Sequence, residues 1–170
     1  MRGRVLIVDD EKLMRVSLEA QLQKEGFFVK SMKTAGDALK YVRNEDFDIV
    51  VSDLRLPGLD GIEMLKEIKN ISQKTIVIIM TAYGTIESAV IAMREGAFDY
   101  ICKPFAIDEL IIKLERALTY KKATSEVIRL RSEIQELYGR DNIVGKSTPM
   151  MKILNTIKAI SDRETTVLIQ

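Results

Sequence analysis

The stretch Ile49-Val50-Val51-Ser52-Asp53-Leu54-Arg55-Leu56-Pro57-Gly58-Leu59-Asp60-Gly61 decides the fold. Its first residues are apolar without alternation, which reads as a short strand buried on both faces. The strand stops at a carboxylate, Asp53. Leu56 to Gly61 is turn-rich punctuation, and Ile62 to Ile71 reads as a helix. The unit is a buried strand, an acidic end, a loop and a helix.

The same unit recurs on both sides. Val5 to Val8 is a strand ended by Asp9-Asp10-Glu11. A helix follows from Leu13 to Lys24, with Leu13, Val16, Leu18 and Leu22 as its apolar positions, and Gly26 ends it. Phe27 to Val29 is a second strand. Thr34 and Asp37 form a cap and its reciprocal partner for a helix to about Asn44. Thr75 to Thr81 is the fourth strand, Ile86 to Glu95 the fourth helix, closed by Gly96. Tyr100-Ile101-Cys102 is a fifth, very short strand, and the chain is helical again from Ile107. Alternating strands and helices with doubly buried strands predict an α/β fold, a doubly wound parallel sheet. Five strands cannot close an eight-stranded barrel, so the sheet is open and its site lies beyond the carboxyl ends of the strands.

Composition narrows the chemistry. The 170 residues carry 26 basic and 25 acidic side chains, a net charge of +1, so no chain-wide basic footprint for nucleic acid exists. There is no histidine, which removes imidazole acid–base chemistry and histidine metal sites. The single cysteine, Cys102, permits no internal disulfide and points to a reducing compartment. As part of a strand, Cys102 is expected to be a buried small hydrophobe rather than a redox group. The early apolar run is too short for a signal peptide or a membrane span, and a cytoplasmic location is expected.

Four strand ends supply polar groups: Asp9 and Asp10, Asp53, Thr81, and Lys103 before Pro104. Each alone is ordinary turn chemistry; together they converge on one site. Three neighbouring carboxylates stay ionised only with a cation between them, and all-oxygen ligation suits Mg²⁺. Metal, ammonium and hydroxyl together would hold the oxygens of a phosphoryl group, with a carboxylate as acceptor.

Val-Asp-Asp-Glu at 8–11, Ser-Asp-Leu-Arg-Leu-Pro-Gly-Leu-Asp-Gly at 52–61, Met-Thr-Ala-Tyr-Gly at 80–84 and Tyr-Ile-Cys-Lys-Pro-Phe at 100–105 closely resemble the motifs of a bacterial response-regulator receiver domain. The resemblance implies a flavodoxin-like sheet of order 2-1-3-4-5. It implies that Asp53 accepts a phosphoryl group from a sensor histidine kinase. Asp10, Asp53 and the Arg55 carbonyl would hold Mg²⁺ directly, and Asp9 mainly through water. Lys103 would pair with the phosphoryl group, Thr81 and Tyr100 would form the switch pair, and the Lys103–Pro104 peptide would be cis. Such a domain catalyses its own phosphotransfer and dephosphorylation. Aspartyl phosphatases of the haloacid-dehalogenase type need Asp-x-Asp after strand one, and flavodoxins need a Ser/Thr-rich loop there; the adjacent acids fit neither.

Beyond the receiver, expected at 1–119, the helix from Ile107 continues to about Tyr138 without Gly or Pro, and Gly139 stops it. Tyr120, Ala123, Val127, Leu130, Ile134 and Leu137 fall at alternating steps of three and four, a coiled-coil seam. A linker over 120–139 and a homodimer through Tyr120, Val127, Leu130, Ile134 and Leu137 are expected. The other reading is one amphipathic helix lying on its own domain. Asn142 to Gly145 reads as extended, Thr148 caps a helix with Pro149 at its first position, and Thr166 to Ile169 reads as a strand.

Residues 140–170 resemble the opening of the ATPase domain of sigma-54 activators, the nitrogen-regulatory-protein-C family. Gly145-Lys146-Ser147 is no Walker loop, because Arg140 stands where that pattern needs Gly. The sequence is therefore expected to be a truncated piece without ATPase activity, from a longer ATPase. RNA polymerase with sigma-54, and DNA, would be met only through domains absent here. A receiver-like dimerisation module that works without phosphorylation is the alternative.

Overall fold

The computed structural model describes residues 2–82, 86–138 and 147–160, apart from the side chains at 86–88, 135–138 and 158. The chain divides into two compact units, Met1–Thr124 and Ser125–Gln170. The expected extended segment at 142–145, the strand at 166–169, the stop at Gly139 and the side chain of Leu137 lie outside the described residues.

In the first unit, β1 (Arg4–Val8), β2 (Phe28–Met32), β3 (Ile49–Asp53), β4 (Ile76–Thr81) and β5 (Asp99–Cys102) form one parallel sheet of order β2-β1-β3-β4-β5. Between them run α1 (Lys12–Lys24), α2 (Ala35–Asn44), α3 (Gly61–Ile71) and α4 (Ile86–Arg94), and α5 (Ile107–Tyr138) follows. Strand parity divides the core in two. Leu6, Val8, Val50, Val77 and Ile79 face one way, against Leu39, Leu65, Ile68 and Ala92 of α2, α3 and α4. Val5, Ile7, Ile49, Val51, Ile76, Ile78 and Met80 face the other, against Leu18 and Leu22 of α1 and Leu110, Leu114 and Ala117 of α5. Both faces of the three central strands are dry, which is why their sequences show no alternation.

Local signals place the helices. Thr34 Oγ1 accepts from Asp37 N at 3.2 Å and caps α2 as expected. Asp60 caps α3, its carboxylate accepting from Ile62 N and Glu63 N, while Glu63 accepts from Asp60 N. In the second unit α6 (Thr148–Ile160) starts at Thr148 itself, and Ser147 O accepts the first bond from Met151 N. The expected capping role of Thr148 therefore shifts back one residue.

Three expectations change. On α1, Leu13 and Val16 are 79% and 57% exposed. The core stripe is Met14, Leu18 and Leu22. At about 100° per residue each lies about 40° from the next and the three span about 80°, while Leu13 and Val16 fall about 140–160° from Leu18. β2 runs on to Met32 through Lys30 and Ser31, because an edge strand tolerates polar residues on its open side. Cys102 is exposed, not buried. β5 is the other edge, and only its Ile101 is buried, against α5.

Candidate functional site

Parity explains how the site assembles. Asp9 continues the alternation Val5, Ile7; Asp53 continues Ile49, Val51; Lys103 continues Ile101. All three therefore emerge on the α1/α5 face of the sheet, from β1, β3 and β5. The Lys103 ammonium bridges the other two, donating to Asp9 Oδ2 at 2.6 Å and to Asp53 Oδ2 at 2.5 Å. Asp9 is fully buried and Asp53 nearly so. The peptide between Lys103 and Pro104 is cis.

The remaining oxygens are held by the loops. Asp9 Oδ1 accepts from Glu11 N at 2.8 Å, and Asp53 Oδ1 accepts from Arg55 N at 2.9 Å. The Asp53 carbonyl accepts from Ser52 Oγ, and Leu54 N donates to Met80 O. Asp10 is exposed and has no hydrogen bond or ion pair among the described residues. Ligand oxygens of Asp9, Asp10 and Asp53 nevertheless lie within 4.8 Å of one another.

Three carboxylates against one ammonium leave two negative charges. Burial pushes the Lys103 ammonium down, but its bonds to Asp53 and Asp9 and their charges outweigh this and hold its pKa above the ordinary lysine value. The residual charge of −2, the all-oxygen donor set and an uncommitted Asp10 fit a hard divalent cation. The carboxylates of Asp9, Asp10 and Asp53 lie close enough together to share one.

Thr81 and Tyr100 take the opposite parity and share the α4 side of β4 and β5, where Ile79 pairs with Tyr100 and Thr81 with Cys102. Thr81 is buried, and its carbonyl accepts from Lys103 N at 2.7 Å. The Tyr100 ring lies outward, in a groove with Ala89, Val90 and Met93. On α5, Val127, Leu130 and Ile134 are 46%, 44% and 57% exposed. Tyr120 rests on Phe98, ring centroids 5.3 Å apart.

Two contributors escaped the sequence reading. Asp60 three residues before Glu63 is a capping-box spacing that the loop assignment obscured. Gly61 is packed so that a Cβ there would lie 2.4 Å from the Asp53 carbonyl oxygen; no sequence signal marks that approach.

Comparison with known proteins agrees with the geometry. Residues 5–115 match the family model of the response regulator receiver domain. The chain is 34% identical over 168 residues to the DNA-binding transcriptional regulator NtrC of Proteus hauseri, covering 99% of this chain and 35% of that protein. It is 37% identical to the regulatory protein AtoC of Escherichia coli, covering 98% and 36%. The chain thus spans about a third of the length of these curated relatives. Among solved structures, NtrX from Brucella abortus in complex with ADP is 35% identical with a TM-score of 0.74, over 95% of this chain and 34% of that one. A receiver domain from Clostridium thermocellum is 32% identical with a TM-score of 0.68, over 72% and 98%.

Proposed function

The chain belongs to the response regulator receiver family, and from that premise we propose that Asp53 is the phosphoryl acceptor of a two-component regulator in the cytoplasm, feeding a sigma-54-dependent output. The observation that carries this reading is the Lys103 ammonium clamped between Asp9 and Asp53, with Asp10 uncommitted beside them.

An Asp53 carboxylate oxygen forms the new P–O bond as the P–N bond of a kinase phosphohistidine breaks. The electron pair leaves with the imidazole, which takes up a proton. Little covalent work falls to the protein, and charge neutralisation dominates. Lys103, already at the acceptor, turns to the incoming phosphoryl oxygens. Mg²⁺ bound by Asp10, Asp53 and the Arg55 carbonyl, with Asp9 acting mainly through water, would neutralise charge on acceptor and phosphoryl group. The Thr81 hydroxyl then donates to the phosphoryl group, and Tyr100 turns from its outward position into the space Thr81 leaves. The receiver ends near residue 119. Residues 120–139 form a dimer linker through Tyr120, Val127, Leu130, Ile134 and Leu137. Residues 140–170 open an ATPase domain. That the receiver family pairs with kinases, and that relatives such as NtrC are transcriptional regulators, supports this assignment.

The test is chemical. Acetyl phosphate with Mg²⁺ should label the native chain once, at Asp53. Asp53→Asn should remain folded and take no label; undiminished label in that variant would sink the assignment.

A further inference from the structure

Resting on the receiver reading, we propose that Arg15 is a positioning residue for the cation site, acting through the peptide that joins Asp9 to Asp10. Arg15 Nη1 donates to the Asp9 carbonyl oxygen at 2.7 Å. Every other polar group of Asp9 is also tied: its N–H donates to Met32 O, Oδ1 accepts from Glu11 N, and Oδ2 accepts from Lys103. Asp10 comes next and has no such ties. Its direction is set by the backbone it hangs from, and Arg15 fixes that backbone from the carbonyl side.

The first turn of α1 shows a local conflict that this role explains. Its N-cap Glu11 makes no side-chain cap bond, and no acid occupies its first turn. Lys12 and Arg15 stand there instead, where the helix dipole disfavours positive charge. A turn built only for helix stability would carry Ser or Asp at the cap and Glu after it. A guanidinium reaching back to the strand-end carbonyl is a reason for Arg at this position. Sequence choices that work against local stability are the ones expected at functional sites.

The alternative is that Arg15 is merely a positive charge near three carboxylates, and the two roles predict opposite signs. Removing a charge that repels the cation tightens its binding. Removing a group that orients Asp10 weakens it, by about 10-fold or more if Arg15 behaves as outer-shell partners of metal ligands do. The experiment is calorimetric titration of the native chain, Arg15→Lys and Arg15→Gln with Mg²⁺ alone. Mn²⁺ spin resonance serves as a second readout, and labelling from acetyl phosphate is measured at saturating Mg²⁺. The expected result is a dissociation constant raised about 10-fold in Arg15→Gln and less in Arg15→Lys, with labelling near native once the cation saturates. Unchanged or tighter Mg²⁺ binding in Arg15→Gln would overturn the proposal. Should that variant not fold, Arg15→Lys decides: weaker binding supports the role, equal or tighter binding overturns it. A native chain that binds no Mg²⁺ would overturn the receiver reading and this inference together.

Discussion

Gly61 can be nothing larger. A Cβ there would meet the Asp53 carbonyl oxygen at 2.4 Å and Leu54 Cα at 2.9 Å, both backbone atoms that cannot swing aside. The first residue of α3 is thereby pressed against the strand that carries Asp53. Gly61→Ala should cost about 1–3 kcal/mol, the usual range for overpacking. A urea midpoint equal to that of the native chain would contradict this. Legibility differed sharply among single residues. Asp9, Asp53 and Lys103 were readable because each follows a short apolar run, and a polar group at a strand end has few directions to take. Arg15 and Gly61 were not, because their roles depend on a carbonyl several residues away in sequence. Cys102 was misread because its neighbour Ile101 is buried. On an edge strand one face stays open, and that property of the sheet is invisible in a three-residue run.

At the level of elements, the end of the sheet opposite the site holds α5. Asp48, just before β3, accepts from Arg4 N and from Lys121 Nζ, each at 2.8 Å. Burial raises the Asp48 pKa, but the Lys121 bond and charge, with Arg4, outweigh it and hold the carboxyl below its usual value. A depressed carboxylate contributes stability above its unfolded pKa and loses it as pH falls through the folded one. Asp48→Asn should therefore lower the melting temperature near pH 7, and its deficit should shrink as the pH falls below about 4. A deficit that stays constant down to pH 2 would show that Asp48 acts through shape alone. The helix from Ile107 to Tyr138 was legible end to end, since no Gly or Pro interrupts it. The buried face of α1 was not. Its apolar residues lie on both sides of the helix, so periodicity alone could not choose the inner stripe, and only packing against Phe27 and Val29 selects it.

For the whole molecule the open question is assembly. Val127, Leu130 and Ile134 form an exposed stripe on α5, and burying such side chains is worth about 1.5–3 kcal/mol each. Glu126 is already bonded to Arg129 at 2.6 Å along its own helix. In a parallel dimer with Val127 at a, Glu126 at g would face Arg131 at the following e of the other copy; that pair must compete with the bond along the helix, so charge steers orientation weakly and apolar burial has to drive any dimer. Leu130→Asp with Ile134→Asp should give monomers by sedimentation while Asp53 still takes label. A native chain that is monomeric at tens of micromolar, with and without beryllofluoride, would refute the dimer. The sheet was legible as a class because doubly buried strands leave few architectures; the seam was legible as a pattern but not as an interface, since a stripe in sequence does not name what covers it. One further consequence lies in β3, with Asp53 at its far end and Asp48 just before it. Inserting one residue between them would turn every later side chain to the other face and carry the Asp53 carboxylate away from Lys103. The spacing is a ruler of about 16 Å that cannot be lengthened.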